Sequence, residues 1–189
     1  MKIENKIFMT QPDDHSSRLN IEIKARTIGH TRIRTYLKDH NADFKGTDHQ
    51  KDTYFRVPQG RLKIREGNVE SCLVYYNRAD LPGPKQCRYH IVQFNPGAPE
   101  AARIKELLTA SLGILCVVDK KREIYFIDQV KFHLDTVEKL GTFFEIEAID
   151  TGGIGEDTLR KQCEKYLSEI GIGEEQLVSV SYSDMIIKM

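Results

Sequence analysis

The chain has 189 residues, 40% of them hydrophobic and 30% charged, with 28 lysines and arginines balancing 28 aspartates and glutamates. That length favours one domain. A formal net charge of +0 leaves no global positive field to hold a polyanion, so nucleic-acid binding is not expected, and any anion site must come from local segregation of charge.

Residues 1–18 read as a flexible lead-in, polar through Gln11-Pro12-Asp13-Asp14-His15-Ser16-Ser17, and 19–189 as a single domain. A strand is expected over about 19–27. Ile33, Tyr36 and Leu37 then recur at helical spacing, predicting a helix over about 30–41. A strand over about 51–57 ends at Pro58-Gln59-Gly60, and its hairpin partner covers about 62–65. Strands follow at about 71–78 and 86–94. Ile104, Leu107, Leu108 and Leu112 mark a helix face that Gly113 stops. Three further strands, about 115–128, 131–137 and 142–150, precede a helix marked by Leu159, Cys163, Tyr166, Leu167 and Ile170. A short terminal helix is expected from Ser183. Hairpin-length connections predict an α+β fold with antiparallel pairing. Eight such strands can close into a barrel with helices outside, which removes free edges.

Cys72, Cys87, Cys116 and Cys163 form no C-x-x-C pair, which argues against zinc or thioredoxin-type chemistry and for reduced thiols. Met1-Lys2-Ile3-Glu4-Asn5-Lys6 carries charge where a signal peptide needs an apolar run, and no stretch approaches the roughly 18 apolar residues of a membrane span. A cytoplasmic protein without a membrane partner is expected.

Alternation along the strands carries the functional information. Successive strand side chains point to opposite faces. Glu22, Lys24 and Arg26 share one face; Arg61, Lys63 and Arg65 another. Tyr76 with Arg78, Arg88 with His90, Lys120 with Arg122, His133 with Asp135, and Glu145 with Glu147 make further rows. Any single row reads as a solvent face. Two features favour a charged interior for the set. The opposite rows, such as Ile21 with Ile23 and Phe144 with Ile146, are strongly apolar and the expected helices can cover them. The signs also segregate, with cations at 61–65, 78, 88 and 120–122 and acids at 22, 135, 145 and 147. Cations suit phosphate oxygens, and clustered carboxylates suit Mg²⁺ or Mn²⁺. A polyphosphate with its metal satisfies both halves.

The strand Asn20-Ile21-Glu22-Ile23-Lys24 occupies the place of an E-x-E-x-K hallmark. Gly60-Arg61-Leu62-Lys63-Ile64-Arg65-Glu66, Lys120-Lys121-Arg122-Glu123-Ile124-Tyr125, the stretch from His133 to Glu147 and Tyr182-Ser183-Asp184-Met185 follow in order. In these motifs, from about residue 19 to 187, the chain resembles the CYTH superfamily of triphosphate tunnel enzymes, and most nearly bacterial class IV adenylyl cyclases. The resemblance implies an eight-stranded tunnel holding ATP or another triphosphate. Lys24, Arg61, Lys63, Arg65, Arg78, Lys120 and Arg122, with Arg88 as a further contact, would bind phosphate. Glu22, Glu145 and Glu147 would bind Mg²⁺ or Mn²⁺. Asp135, Lys24 and Arg122 would act at the reacting phosphate, Asp135 as proton acceptor. A homodimer is expected by similarity. His133 is read as structural or phosphate-adjacent rather than as a metal ligand. Asn20 departs from the hallmark: it keeps an oxygen but loses a charge. The first expectation is cyclisation of ATP to cyclic AMP and pyrophosphate. Hydrolysis of thiamine triphosphate or inorganic triphosphate is the close alternative. A non-catalytic nucleotide- or polyphosphate-binding module is the third reading.

Overall fold

The structure, a computed structural model, describes residues 18–78, 80–81 and 83–189. The expected lead-in lies outside the described residues, except that Arg18 opens the first strand. The strands are β1 (Arg18–Thr27), β2 (Asp43–Phe55), β3 (Arg61–Glu66), β4 (Ser71–Arg78), β5 (Lys85–Phe94), β6 (Ile114–Ile127), β7 (Val130–Val137) and β8 (Gly141–Ile149). The helices are α1 (Thr31–Asp39), α2 (Pro99–Leu112), α3 (Glu156–Ile170) and α4 (Tyr182–Ile187). Every strand pairing is antiparallel, in the closed order β1-β5-β4-β3-β2-β6-β7-β8. The ring shuts where Glu22 faces Glu147 and Lys24 faces Glu145 across the β1–β8 seam. Among the described residues, no helix is long and apolar enough to cross a membrane.

The apolar strand faces point outward, and helices cover them. Ile21 and Ile23 of β1, Phe132 and Leu134 of β7 and Phe144 and Ile146 of β8 pack beneath Ile33 and Leu37 of α1 and Leu159, Cys163 and Leu167 of α3. On the opposite wall Phe55, Ile64, Leu62 and Leu73 pack beneath Ala101, Ile104, Leu108 and Leu112 of α2. Burying one such side chain contributes about 1.5–3 kcal/mol, so the greasy rows bind the helices to the barrel and the charged rows are left inside.

Two boundaries differ from the sequence expectation. β2 begins at Asp43, eight residues before its expected start at 51. The segment Asp43–Gln50 shows no apolar alternation because its outward residues Thr47 and His49 are polar, like its inward, fully buried Asp48 and Gln50. The terminal helix begins at Tyr182, because Ser181 caps it. The Ser181 hydroxyl accepts from the Asp184 backbone N–H, and the Asp184 carboxylate accepts from the Ser181 N–H at 3.0 Å.

Asp48 anchors the β3–β4 turn. Its carboxylate accepts from the backbone N–H groups of Asn68, Val69 and Glu70 at 2.7, 2.9 and 2.9 Å. Gly67 is required there: a Cβ would lie 2.4 Å from the Glu70 carbonyl and 2.8 Å from the Asp48 carboxylate.

Candidate functional site

One end of the barrel interior is apolar. Tyr54, Tyr76, Val118, Val137, Phe143 and Tyr182 pack together there, with Met185 and Ile186 of α4 against them. Charged side chains from all eight strands occupy the rest of the interior. Register places Lys24, Arg61, Lys63, Arg65, Arg78, Lys120 and Arg122 on the inner face, together with Glu22, Asp135, Glu145 and Glu147. Arg88 is the exception among the expected phosphate contacts. It pairs opposite Leu19 and Asn77, with its neighbour Cys87 turned inward, so strand alternation puts the Arg88 side chain on the exposed outer wall. The inward cation of β5 is Lys85, which faces Glu22. The inward row expected from Arg88 and His90 is therefore an outward one, because β5 turns Lys85 and Cys87 inside.

The inner charges form two clusters, around Asp52 and around Asp135 with Glu145, and several further pairs, one of which shares Arg65 with the first cluster. In the first, Asp52 of β2, 1% exposed, takes hydrogen bonds from Lys63 at 2.8 Å, Arg65 Nε at 2.8 Å and Lys120 at 2.7 Å. Burial pushes the Asp52 carboxyl up, but Arg65, Lys120 and Lys63 outweigh it and hold the pKa well below the usual carboxylate range. One carboxylate cannot balance three cations. Burial, joined by repulsion from Arg65, Arg122 and Lys63, pushes Lys120 down to about 7 in spite of Asp52. The expected segregation of signs is therefore incomplete, because an acid sits within the cationic wall.

In the second cluster, Arg122 donates from Nε to Asp135 Oδ1 at 2.7 Å and from Nη2 to the other oxygen and to Glu145. The Tyr182 hydroxyl also donates to Asp135, at 2.7 Å. Lys24 pairs with Glu145 and lies 3.8 Å from the centre of the Tyr182 ring. Burial raises both carboxyls, yet Arg122 for Asp135, and Lys24 with Arg122 for Glu145, hold their pKa values low. Asp135 has both oxygens engaged by Arg122, and one also by Tyr182, so in this arrangement it orients Arg122.

Among the further pairs, Arg78 pairs with Glu22, and Glu70 bridges Lys131 and Arg65. Arg61 pairs with Asp184 of α4 at 2.7 Å and with Asp80 at 3.0 Å. Lys85 donates to the Leu81, Val178 and Ser179 carbonyls, and burial, with repulsion from Arg78 and Lys24, lowers its pKa to about 8. Sequence reasoning missed Asp52, Glu70, Lys85 and Lys131. Asp52 and Lys85 could have been found by extending strict alternation from Tyr54 and Cys87.

A divalent cation fits the acidic corner. His133, Glu145 and Glu147 each bring a donor atom within 4.8 Å of the others. His133 Nδ1 lies 3.4 Å from Glu145 and 3.6 Å from Glu147. Both contacts are long, 3.4 Å being the nearer, and neither ring nitrogen of this buried imidazole has a hydrogen bond of good geometry. The side-chain oxygen of Asn20 is buried and unpartnered as well. Burial, with Arg122 nearby, lowers the His133 pKa and favours the neutral ring.

The family model of the CYTH domain matches residues 18–182. A search of curated proteins finds no match. Among solved structures, the PH1012 protein of Pyrococcus horikoshii OT3 is 27% identical with a TM-score of 0.70, covering 87% of this chain and 98% of that one. A candidate adenylate cyclase from Vibrio parahaemolyticus is 16% identical with a TM-score of 0.73, covering 89% and 98%. HpAC1 of Hippeastrum, a candidate adenylyl cyclase described as having a dominant triphosphatase activity, is 16% identical with a TM-score of 0.61, covering 90% and 95%. The last two share the fold. With a closed eight-stranded barrel, a charged interior and a family match over most of its length, this chain belongs to the CYTH domain family.

Proposed function

We propose that the domain over 19–189 is a metal-dependent enzyme that binds a linear triphosphate inside the barrel and cleaves it with water. The observation that carries this reading is the set of inward cations, Lys24, Arg61, Lys63, Arg65, Arg78, Lys120 and Arg122, inside one closed barrel with the acids Glu22, Glu145 and Glu147. Buried cations held only by a few shared carboxylates are poised to exchange them for phosphate oxygens. Lys63, Arg65 and Lys120 would leave Asp52 for one stretch of the chain, and Arg122 and Lys24 would take the next. Arg122, held in orientation by Asp135 and Tyr182, would meet charge that develops on the reacting phosphate. Glu145 and Glu147 would hold the cation, Mg²⁺ or Mn²⁺, with Glu22 beside them. When bound, that ion would neutralise phosphate oxygens and make the attacking water more acidic.

Hydrolysis ranks first because the phosphate and metal contacts suffice for it. Cyclisation of ATP also needs a base site that sets the ribose 3′-hydroxyl against the α-phosphorus. One observation favours that second reading: the Tyr54 and Tyr76 rings face inward, 5.5 and 5.9 Å from Lys63 Nζ, where a base could stack. Purified protein incubated with inorganic triphosphate, thiamine triphosphate and ATP, each with Mg²⁺ or Mn²⁺, separates the cases. Released orthophosphate supports hydrolysis, and cyclic AMP with pyrophosphate supports the cyclase. Binding without turnover would reject both in favour of a binding module.

Proton uptake should accompany binding. Lys120 and Lys85, with pKa values of about 7 and about 8, are largely neutral at pH 9, and an entering polyanion favours their charged forms. Metal-free ATP, whose terminal phosphate has a pKa near 6 and is fully ionised at that pH, should bind with net uptake of about one to two protons. Its affinity should fall as pH rises from 7 to 9. Calorimetry in buffers of different ionisation enthalpy measures the uptake, and Lys120→Met should reduce it. Proton-neutral binding at pH 9 would show that the phosphates do not reach these lysines.

A further inference from the structure

We propose that His133 is a nitrogen ligand of the catalytic cation, completing a site with Glu145 and Glu147 that prefers Mn²⁺ to Mg²⁺. The inference rests on the metal-dependent triphosphate reading and concerns which ion the corner accepts.

His133 is 1% exposed, and neither of its ring nitrogens has a hydrogen bond of good geometry. A buried imidazole normally donates one N–H and accepts at its other nitrogen, and leaving both unmet carries a desolvation cost. The antiparallel register sets His133 directly opposite Glu145, with Glu147 opposite Lys131 one inward step along. Nδ1 therefore faces both carboxylates, at 3.4 and 3.6 Å.

Those separations suit a shared ion. Nitrogen and carboxylate ligands sit about 2.0–2.2 Å from a first-row divalent metal. Two donors on one such ion are then about 3 Å apart at a right angle and about 3.4 Å apart at the tetrahedral angle. The two His133 separations lie at the edge of that range, and the three donors all lie within 4.8 Å of one another, so the carboxylates must close inward to share one ion. The neighbouring charges also leave room for a cation. Glu147 pairs with no Lys or Arg among the described residues. Lys24 and Arg122, which hold Glu145, are residues that a bound triphosphate would draw away.

The donor set decides the ion. Mg²⁺ takes oxygen ligands almost to the exclusion of nitrogen and keeps several waters. A mixed imidazole–carboxylate set favours first-row metals over Mg²⁺; Mn²⁺, the weakest binder of that series and the one that shares the oxygen preference of Mg²⁺, still takes an imidazole nitrogen more readily than Mg²⁺ does. This proposal departs from the sequence reading of His133 as structural or phosphate-adjacent.

The test is spectroscopic. Wild-type protein labelled with ¹⁵N-histidine would be titrated with Mn²⁺, with and without tripolyphosphate, and binding followed by loss of the free-ion EPR signal. Bound Mn²⁺ is expected to show coupling to a directly coordinated ¹⁵N in pulsed EPR. His133→Gln, or His133→Asn if the first does not fold, should abolish that coupling. The same change should weaken Mn²⁺ binding by about ten- to a hundredfold, the scale on which changes around a metal act, and change Mg²⁺ affinity less than about threefold. Bound Mn²⁺ without nitrogen coupling, or coupling that survives in both variants, overturns the proposal. Absence of Mn²⁺ binding under both conditions also overturns it. Calorimetric binding of tripolyphosphate alone would still report separately on the triphosphate reading.

Discussion

Lys63→Ala combined with Arg65→Ala should weaken tripolyphosphate binding by about a hundredfold to ten-thousandfold. Hydrogen bonds to charged groups contribute about 1.5–3 kcal/mol each, so losing two cations removes about 3–6 kcal/mol, and each 1.4 kcal/mol is a factor of ten. Stability should change much less than binding. Asp52 keeps Lys120 of its three cations, and Glu70, losing Arg65, keeps Lys131, so no buried carboxylate is left without a cation. Calorimetry measures the binding and urea unfolding the stability. Unchanged tripolyphosphate binding in the double variant would remove the phosphate role from this wall.

Arg122→Met should reverse how stability depends on pH. In the wild type, Asp135 and Glu145 have folded pKa values held below their ordinary ones. Their stabilising contribution is therefore complete above the unfolded values of about 4 and is lost as pH falls through the lower folded values. Without Arg122, Asp135 keeps only the Tyr182 hydroxyl, and burial pushes its carboxyl up. A carboxyl with a raised folded pKa stabilises the fold when protonated, so the variant should gain stability as pH falls from 7 to 5. The loss at pH 7 should be about 3–5 kcal/mol, and Asp135→Asn in the same background should recover most of it. Urea denaturation at pH 5 and pH 7 is the measurement. A flat profile in Arg122→Met would mean that Asp135 finds another cation.

Much of this barrel is legible in the sequence because two simple patterns coincide. Ile21-Glu22-Ile23-Lys24 and Phe144-Glu145-Ile146-Glu147 alternate cleanly, and the helices supply a matching apolar stripe, so inside and outside follow from parity. Parity fails where the strand lacks an apolar phase. Asp43–Gln50 is polar on both faces, which hid half of β2 and with it the approach to Asp52. Around Arg88 the opposite error occurs. Gln86, Arg88 and His90 form a polar row as regular as an inner one, and only pairing with Leu19 and Asn77 shows that it faces out. The Glu70–Lys131 contact joins residues 61 positions apart through a turn whose geometry Asp48 and Gly67 fix, and no local pattern announces it.

The seam between β1 and β8 has a consequence for how the chain is made. β1 lies between β5 and β8, and its register with β8 runs from Asn20 to Thr27 against Ile149 to Thr142. One edge of the first described strand can pair with β5, but its other edge waits for β8, the last strand. Contacts of such long sequence separation demand a large loop closure before they return any stabilisation, which slows folding. During synthesis β1 leaves the ribosome with its buried lysine Lys24 still in water and its partner Glu145 not yet made. Until residue 149 emerges, the charged inner row is open to water on a half-built sheet. The same residues read here as gripping a ligand would, earlier in the molecule's life, guard its unpaired edge against aggregation.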